Sequence, residues 1–470
     1  GSGDWQEVSV VLDVPDEAVG IAFGPLLQGE GDLLVDDMTF EVVGVDVPET
    51  DLLSEPEARA GGGGYRENPV TPLNLDFEGV PPIAEAAIQW LTVNSYPIAT
   101  TEPGSDLSDL EPLRDVLGTA RVVGLGEGTH GTREFFLLKH RILEFLVREM
   151  GFRTFAMEAS WPEANDINQY VLTGEGDPAQ LLRNLLFWTW NTQEVLDLIL
   201  WMRAWNQSAA PGDEVRFAGF DMQFPFAAID TVKAFIVRVD PGQLEYVSLR
   251  HACLEPLRPS GNYFPPRSAY LTFPADVRAA CRIAVQEVFD LIDRRRADYQ
   301  LSATEEEYDR AWQSARLVTQ YEAVAGATTN SSALRDLAMA DNVEWLLSRT
   351  GLTGKVVLWA HNMHVINESS WLGGHLRSRL GEDYRAVGFL FGRGKFNAFG
   401  PDGIVAERTA TVTPANSFEH AFGRTGHSLA LLDLEGRRAQ LALAGRAAPS
   451  GQHEGMDVQG GSDILDLHAW

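Results

Sequence analysis

The sequence is poor in cysteine, in lysine and in positive charge generally. It has only two cysteines, Cys253 and Cys281. They are too few for a disulfide framework, and neither lies in a CxxC spacing, so thiol redox chemistry and a cysteine-rich metal site are not expected. Only four lysines occur, and 37 basic residues stand against 67 acidic ones, for a formal net charge of −30. Because such a surface repels nucleic acids and anionic lipids, neither is expected as a partner.

Long hydrophobic runs are also missing. No apolar stretch reaches the roughly 18 to 20 residues that a transmembrane helix needs, so no membrane span is predicted. With 44% hydrophobic and 22% charged residues, the composition is that of a globular protein. The chain begins with "GSG" and no methionine, so the lack of a signal peptide is uninformative. We expect a cytoplasmic protein, with secretion left open.

Differences in composition and residue patterning divide the chain into three parts. Residues 1–50 alternate apolar and polar residues in short runs, which predicts a small β-rich segment. It weakly resembles a partial jelly-roll module of the carbohydrate-binding type, and a structural or docking role is favoured over sugar binding. Residues 51–75 are rich in glycine, proline and acidic residues and predict a flexible linker. Residues 76–470 form the main domain.

The main domain alternates short apolar strands with helices. This order predicts an α/β fold, with a mostly parallel central sheet flanked by helices and a large helical insertion over roughly 275–350. One helix is expected from about Thr132 to Met150, ending at Gly151. Capping-box spacings are found at Asn191 with Glu194 and at Ser302 with Glu305. The predicted strands are 121–127, 152–160, 214–221, 354–362 and 384–392.

Acidic residues or histidines lie at or near the carboxyl ends of four of these strands. Since function collects at the carboxyl ends of parallel strands, these side chains are expected to converge on one site. Taken singly, each is better explained as a helix cap or a satisfied histidine, but four together favour a site. The residues are Glu127 with His130, Glu158, Asp221, and His361 with His364.

The loop after the first strand, "GLGEGTHGTREFF", also matches the dinucleotide fingerprint G-x-G-x-x-G at Gly126, Gly128 and Gly131. Glu158 would then be the acid that holds the ribose. Glu127, however, would place a carboxylate beside the pyrophosphate, which needs free backbone N–H groups. We therefore favour a turn whose own side chains, Glu127 and His130, take part in catalysis, with nucleotide binding as a minor alternative.

Histidine beside carboxylates suits hydrolysis. A neutral imidazole is a suitable general base for water, and a carboxylate can fix its tautomer and stabilise the imidazolium. A second histidine or an arginine can bind the oxyanion. The sequence has no G-x-S-x-G elbow, so direct attack by activated water is favoured over an acyl-enzyme.

A metal site is the third alternative. His130, His361 and His364 with carboxylates could bind zinc or manganese. Against this, an H-x-x-H spacing after a strand does not predictably place both imidazoles on one side, and H-E-x-x-H is absent. No metal and no cofactor are predicted.

The same residues lie in motifs that resemble the erythromycin esterase family, in family order over roughly residues 85–445. Together the motifs are highly specific, although single pieces such as the glycine loop are not. They are "GLGEGTHGTREFF" (124–136), "FAMEASW" (155–161), "NQYVLTGEGD" (168–177), "FWTWNTQEVLDLILWMRAWN" (187–206), "RFAGFDMQ" (216–223), "RDLAMADNVEWLL" (335–347), "VVLWAHNMHV" (356–365) and "DYRAVGFLFGRGKF" (383–396).

The resemblance implies an α/β esterase that opens the macrolactone ring of 14-membered macrolides, without a metal. Carried over by motif, the catalytic residues are His130, Glu158 and His361, and Glu127 orients His130. Arg133 and Arg335 match arginines that line the family's cleft, and we add His364 and Asp221 to the substrate-binding set.

Our leading hypothesis from the sequence is an esterase in which His130 takes a proton from water. Glu158 positions the water or supports the imidazolium, and His361 with an arginine stabilises the oxyanion. The β-rich N-terminal segment departs from the family pattern, so a different natural ester is an alternative substrate. A non-catalytic binding protein with a degenerate cleft is the alternative from another class.

Overall fold

A computed structural model describes residues 83–259, 267–400, 404–411 and 417–434. The predicted β-rich segment 1–50 and the linker 51–75 lie outside these residues. The described strands are β1 (Ser95–Pro97), β2 (Val122–Leu125), β3 (Thr154–Ser160), β4 (Arg216–Asp221), β5 (Val356–Trp359), β6 (Tyr384–Val387), β7 (Gly394–Phe399), β8 (Val405–Ala410) and β9 (Ala430–Leu432).

A five-stranded parallel sheet in the order β4-β3-β5-β2-β6 forms the centre of the described chain. All five predicted strands are present in it, which confirms the predicted fold class. Two smaller antiparallel pairs, β1 with β9 and β7 with β8, lie outside the sheet. Because its strands are parallel and short, helices connect them and cover both faces.

Helices make up most of the remaining described chain. They are α1 (Glu85–Asn94), α2 (Pro112–Leu117), α3 (Arg133–Met150), α4 (Trp161–Thr173), α5 (Pro178–Arg183), α6 (Gln193–Ser208), α7 (Phe226–Val239), α8 (Leu244–His251), α9 (Ala275–Arg294), α10 (Arg296–Tyr299), α11 (Glu305–Gly326), α12 (Ser331–Arg349), α13 (Asn362–Val365), α14 (Leu372–Leu380) and α15 (Phe418–Gly423). Short 3-10 helices are Ser108–Leu110, Pro241–Gln243, Glu255–Leu257, Arg267–Thr272 and Gly381–Asp383.

Side chains alternate between the two faces of the sheet and build two hydrophobic cores. On β2, Val123 and Leu125 belong to the core shared with α3, α4 and α6. Val122 faces the other way, into the core shared with α7, α9, α11, α12 and α14. The three inner strands β3, β5 and β2 are therefore buried along their whole length, and a ligand is expected at the strand ends.

Helix α3 passes through the first core and is buried on all sides. Every residue from Phe135 to Val147 is buried, although the run includes charged side chains. The helix ends as predicted, with Gly151 in the left-handed conformation at φ 74°. A fully buried helix that carries a lysine requires a partner for that charge, and α3 supplies part of the site described below.

Both predicted capping boxes are displaced along the chain. Helix α6 is capped by Thr192, whose side chain accepts from the N–H of Val195, so the predicted Asn191 cap is wrong by one residue. Helix α11 begins after Thr304, which forms a capping box with Glu307 two residues beyond the predicted pair. Several adjacent polar residues could serve as caps in both places, and the sequence alone does not rank them.

The two cysteines form a disulfide that joins the chain just after α8 to the buried face of α9. Cys253 and Cys281 are bonded, with their Cα atoms 5.7 Å apart. The sequence analysis did not predict this pair. No helix within the described ranges combines the length and the hydropathy that crossing a bilayer requires.

Candidate active site

The turn that follows β2 is closed around its glycines by neighbouring protein. A Cβ atom at Gly126 would lie 2.1 Å from the side-chain oxygen of Asn362, and one at Gly131 would lie 2.0 Å from the carbonyl oxygen of Asn397. The glycines are thus required for the approach of other parts of the chain. The space that a pyrophosphate would need is filled, which argues against the dinucleotide alternative.

Glu127 lies at the centre of this turn and has no solvent exposure. Its Oε1 accepts a hydrogen bond of 2.6 Å from Nδ1 of His130. Its Oε2 accepts from Nζ of Lys139 at 2.8 Å and from Nε1 of Trp359 at 2.9 Å. Because a carboxylate only accepts, Nδ1 of His130 carries the proton and Nε2 is the basic atom.

These contacts shift the pKa values of Glu127, Lys139 and His130. Burial opposes ionisation of Glu127, but the charge of Lys139 outweighs it and keeps the pKa of Glu127 below its ordinary value. Burial lowers the pKa of Lys139 to about 8, although the charge of Glu127 opposes the shift. For His130, burial is outweighed by the hydrogen bond and charge of Glu127, so its pKa is raised. Glu127 and Lys139 therefore form a buried carboxylate–ammonium pair, and His130, which is hydrogen-bonded to that carboxylate, becomes a stronger base.

Glu158 is the centre of a second group of polar residues. It lies inside β3, which continues to Ser160, and the register with β4 shifts between Met157 and Ser160. Strand β3 therefore ends at Ser160, as the predicted strand 152–160 does, and Glu158 lies two residues before that end. A shift of this kind turns a side chain out of the regular alternation, which here presents Glu158 to the edge of the sheet.

The carboxylate of Glu158 is fully engaged. Oε1 lies 2.6 Å from Nη2 of Arg335 and 3.2 Å from Nε2 of His364, while Oε2 accepts from the backbone N–H of His361 at 3.0 Å. Burial is outweighed by the charges of His364 and Arg335, which hold the pKa of Glu158 well below its ordinary value. The hydrogen-bonded partner of His130 is Glu127, and Glu158 acts on His130 through its charge.

Arg335 joins Glu158 to Asp221 at the end of β4. Its Nε and Nη2 donate to the two carboxylate oxygens of Asp221 at 3.1 and 2.6 Å. Both acidic side chains are buried, and the planar guanidinium matches their geometry. The arginine is therefore held rigidly, with two carboxylates as its counter-charges.

His364 is the second cation of this group. Its Nδ1 lies 2.7 Å from Oδ1 of Asp336, and its Nε2 faces Glu158 and lies 3.0 Å from Nη1 of Arg335. Burial opposes protonation, but the charge of Glu158 and the hydrogen bond to Asp336 raise the pKa of His364 to about 10. His364 is thus an imidazolium at neutral pH and does not serve as a base.

His361 lies between the two groups and has the opposite character. Its Nδ1 accepts from the backbone N–H of Met363 at 3.2 Å, so Nε2 carries the proton and donates to the carbonyl oxygen of Gly128 at 3.2 Å. Its ring centroid is 5.2 Å from that of His130. Burial, reinforced by the charge of His130, lowers the pKa of His361 to about 4. At neutral pH, His361 is therefore a neutral donor.

Arg133 stands apart from these groups. It is the first residue of α3, its side chain is 59% exposed, and its Nε donates to Glu194 at 3.0 Å. The structure brings the other predicted residues together at the carboxyl edge of the sheet. They are Glu127, His130, Glu158, Asp221, Arg335, His361 and His364.

Three residues of these groups were not predicted from the sequence. Lys139 neutralises Glu127, Trp359 donates to it, and Asp336 holds His364. A signal existed for two of them. Lys139 is one of only four lysines and directly follows the apolar run Phe135–Leu138, and Asp336 follows Arg335 in the quoted motif. Among the described residues, no group of three or more His, Cys, Asp or Glu side chains is arranged to hold a metal ion.

Comparisons with known proteins agree with this architecture. The sequence model of the erythromycin esterase family matches residues 147–453. Erythromycin esterase type II of Escherichia coli is 25% identical over 339 residues, which cover 67% of this chain and 79% of that protein. The putative hydrolase YbfO of Bacillus subtilis is 24% identical over 296 residues, which cover 60% of this chain and 64% of that protein.

Solved structures show the same fold. A Bacillus cereus protein superposes with a TM-score of 0.68 at 26% identity, covering 77% of this chain and 89% of its own. A succinoglycan biosynthesis protein gives 0.64 at 25% identity, with 74% and 85% covered. An erythromycin esterase in its open conformation gives 0.57 at 18% identity, with 70% and 86% covered, and shows the fold alone. The chain belongs to the erythromycin esterase family and is a hydrolase.

Proposed function

We propose that this chain hydrolyses carboxylic esters with a water molecule activated by His130, and that its substrate is the ring ester of 14-membered macrolides. The pairing of His130 with Glu127 carries the proposal. Glu127 holds the proton on Nδ1, and no described residue hydrogen-bonds to Nε2, whose ring is 31% exposed. Nε2 is therefore available to water, and the raised pKa strengthens it as a base.

The reaction would include two proton transfers, both at Nε2 of His130. Nε2 of His130 takes a proton as the water oxygen bonds to the ester carbonyl carbon, and the π electrons move onto the carbonyl oxygen. When the tetrahedral intermediate collapses, the C–O bond to the alkoxy group breaks and its electron pair leaves with that oxygen. The imidazolium then returns its proton to the alkoxide, and Glu127 stabilises the imidazolium in between.

His361 is suited to bind the developing oxyanion. It is neutral, it carries a proton on Nε2, and its ring lies beside that of His130. In the free site this N–H donates to the carbonyl of Gly128, and turning it toward substrate would exchange one acceptor for a stronger one. Glu158 holds the backbone of His361 in place, so we assign Glu158 a positioning role rather than contact with water.

The choice of a macrolide rests on relatives. Erythromycin esterase type II is similar over two thirds of the chain, and a small-molecule ester fits a site confined to one edge of the sheet. At 25% identity, a different ester remains the alternative within the same family. We retain Arg133 as a substrate-binding residue, because it is exposed and begins the helix that follows His130.

The test is mass spectrometry of a macrolide panel incubated with the protein, with and without a chelator. We expect a product heavier by one water, and a His130→Ala variant slower by about 10²–10⁴-fold. His427→Ala is the matched control, since that histidine contacts the carbonyl of Thr92 away from the site. Equal rates in the wild type and His130→Ala would reject the mechanism. Hydrolysis of model esters but of no macrolide would reject the substrate alone.

A further inference from the structure

An aromatic segment between α5 and α6, residues 186–190, borders the proposed site. Trp190 places its ring edge against His130, with centroids 5.3 Å apart, and its Nε1 donates to the backbone carbonyl of Glu158 at 3.0 Å. Trp190 is buried, so it fixes the segment to both polar groups of the site. The residues just before it are therefore anchored next to His130 and Glu158.

Leu186 begins this segment in a strained conformation. Its φ is 66°, in the left-handed region that a residue with a branched side chain rarely adopts, and its side chain is largely exposed. Strain of this kind persists only where the surrounding contacts impose it, and it is concentrated at functional positions.

The β7–β8 hairpin is bonded to the turn that carries His130. The backbone N–H of Asn397 donates to the carbonyl of Gly131 at 3.0 Å, directly beside His130. The base of the hairpin is braced by Phe391, whose ring lies 5.6 Å from Phe396 and 5.8 Å from Phe135 of α3. The hairpin is therefore attached to the catalytic turn itself.

The last residue of β7, Phe399, is apolar and meets the aromatic segment. Phe399 lies two residues beyond Asn397, roughly 7 Å along the strand. Its ring contacts Trp188 edge to face, with centroids 5.5 Å apart, yet the residue is 60% exposed. Ile404 begins the returning chain next to it, is 61% exposed, and accepts a hydrogen bond from the N–H of Gly400 at 2.9 Å. Phe399 and Ile404 therefore present apolar surface to water beside the half-buried Trp188, on a hairpin bonded to the turn that carries His130.

We propose that Trp188, Phe399 and Ile404 form an apolar rim that determines substrate specificity. The rim binds the extended hydrocarbon part of an ester whose carbonyl lies at His130. The inference rests on the proposed ester hydrolysis and adds to it one substrate class, esters with a long apolar acyl chain. Covering exposed aromatic and aliphatic surface with such a group removes apolar area from water.

The experiment compares 4-nitrophenyl acetate with 4-nitrophenyl octanoate on the full chain. We expect the wild type to prefer octanoate in kcat/KM. In Phe399→Ser and Ile404→Ser, the octanoate-to-acetate ratio should fall about tenfold, equivalent to about 1.4 kcal/mol, mainly through a higher KM for octanoate. Leu352→Ser is the matched control, because Leu352 is exposed in the turn after α12 and takes no part in the site.

An unchanged ratio in both hairpin variants, or a wild type without chain-length preference, would overturn the rim while leaving ester hydrolysis intact. If the wild type hydrolyses neither ester, the proposed function fails, and calorimetric titration with the octanoate ester then tests the rim by itself. Binding that weakens in Phe399→Ser but not in Leu352→Ser would support the rim in that case, and equal binding in all three proteins would reject it.

Discussion

Nζ of Lys139 lies 2.8 Å from Oε2 of Glu127, and neither side chain is exposed to solvent. The ammonium group also lies 4.5 Å from the ring centroid of Trp359, whose Nε1 donates to the same carboxylate oxygen. One oxygen of Glu127 is thus fully satisfied by core residues, which leaves the other oxygen for His130. Lys139 is in this way a positioning residue that acts on the base through Glu127.

Removal of Lys139 is expected to destabilise the protein strongly. In Lys139→Met the carboxylate of Glu127 keeps its burial but loses its counter-charge, so the free energy of unfolding should fall by about 3–5 kcal/mol. Combining it with Glu127→Gln removes both charges and should recover part of the loss. Urea unfolding followed by circular dichroism gives the double-mutant cycle.

A matched pair on the surface serves as the control for this cycle. Lys395 and Glu407 are 2.7 Å apart on the exposed hairpin, so Lys395→Met should change stability little. Strictly additive losses for Lys139→Met and Glu127→Gln would contradict the coupling of the buried pair.

Glu127→Gln is expected to move the acidic limb of the pH–rate profile to lower pH. His130 must be neutral to accept a proton, so activity rises as the pH rises through its pKa. Glu127 raises that pKa against burial, and in the variant burial and the charge of Lys139 lower it while only the charge of Glu158 still raises it. The ester-hydrolysis rate should also fall by about 10²–10⁴-fold, since the tautomer of His130 is no longer fixed.

The measurement is kcat/KM for a model ester from pH 5 to pH 9, with Glu407→Gln as a carboxylate control on the surface. An acidic limb that stays in place in Glu127→Gln would show that another group sets the pH dependence. A limb that also moves in Glu407→Gln would point to a general change in surface charge.

Loss of the Cys253–Cys281 disulfide should lower stability without changing the chemistry of the site. The bond closes a loop with a sequence separation of 28. A loop of that length corresponds to about 3–4 kcal/mol of stabilisation on the chain-entropy account. In Cys253→Ser, the free energy of unfolding should fall by that order, and dithiothreitol should destabilise the wild type but not the variant. Equal sensitivity of both proteins to dithiothreitol would argue against the bond.

The sequence determined the elements and the place of the site. Apolar runs and helix patterns predicted all five strands of the central sheet and the end of α3, because these features depend on neighbours along the chain. Parallel strands present their carboxyl ends at one edge, so Glu127, Glu158, Asp221 and His361 could be expected to converge there. This expectation holds for any order of the parallel strands in the sheet.

Only the tertiary structure determined which charged side chains are in contact. Lys139 reaches Glu127 from inside α3, while the irregular register of β3 directs Glu158 to Arg335 and His364 rather than to His130. Two histidines three residues apart then acquire opposite characters, His361 neutral and His364 protonated. Hydrogen bonds and pKa values depend on contacts of about 3 Å and on burial, and spacing along the chain specifies neither.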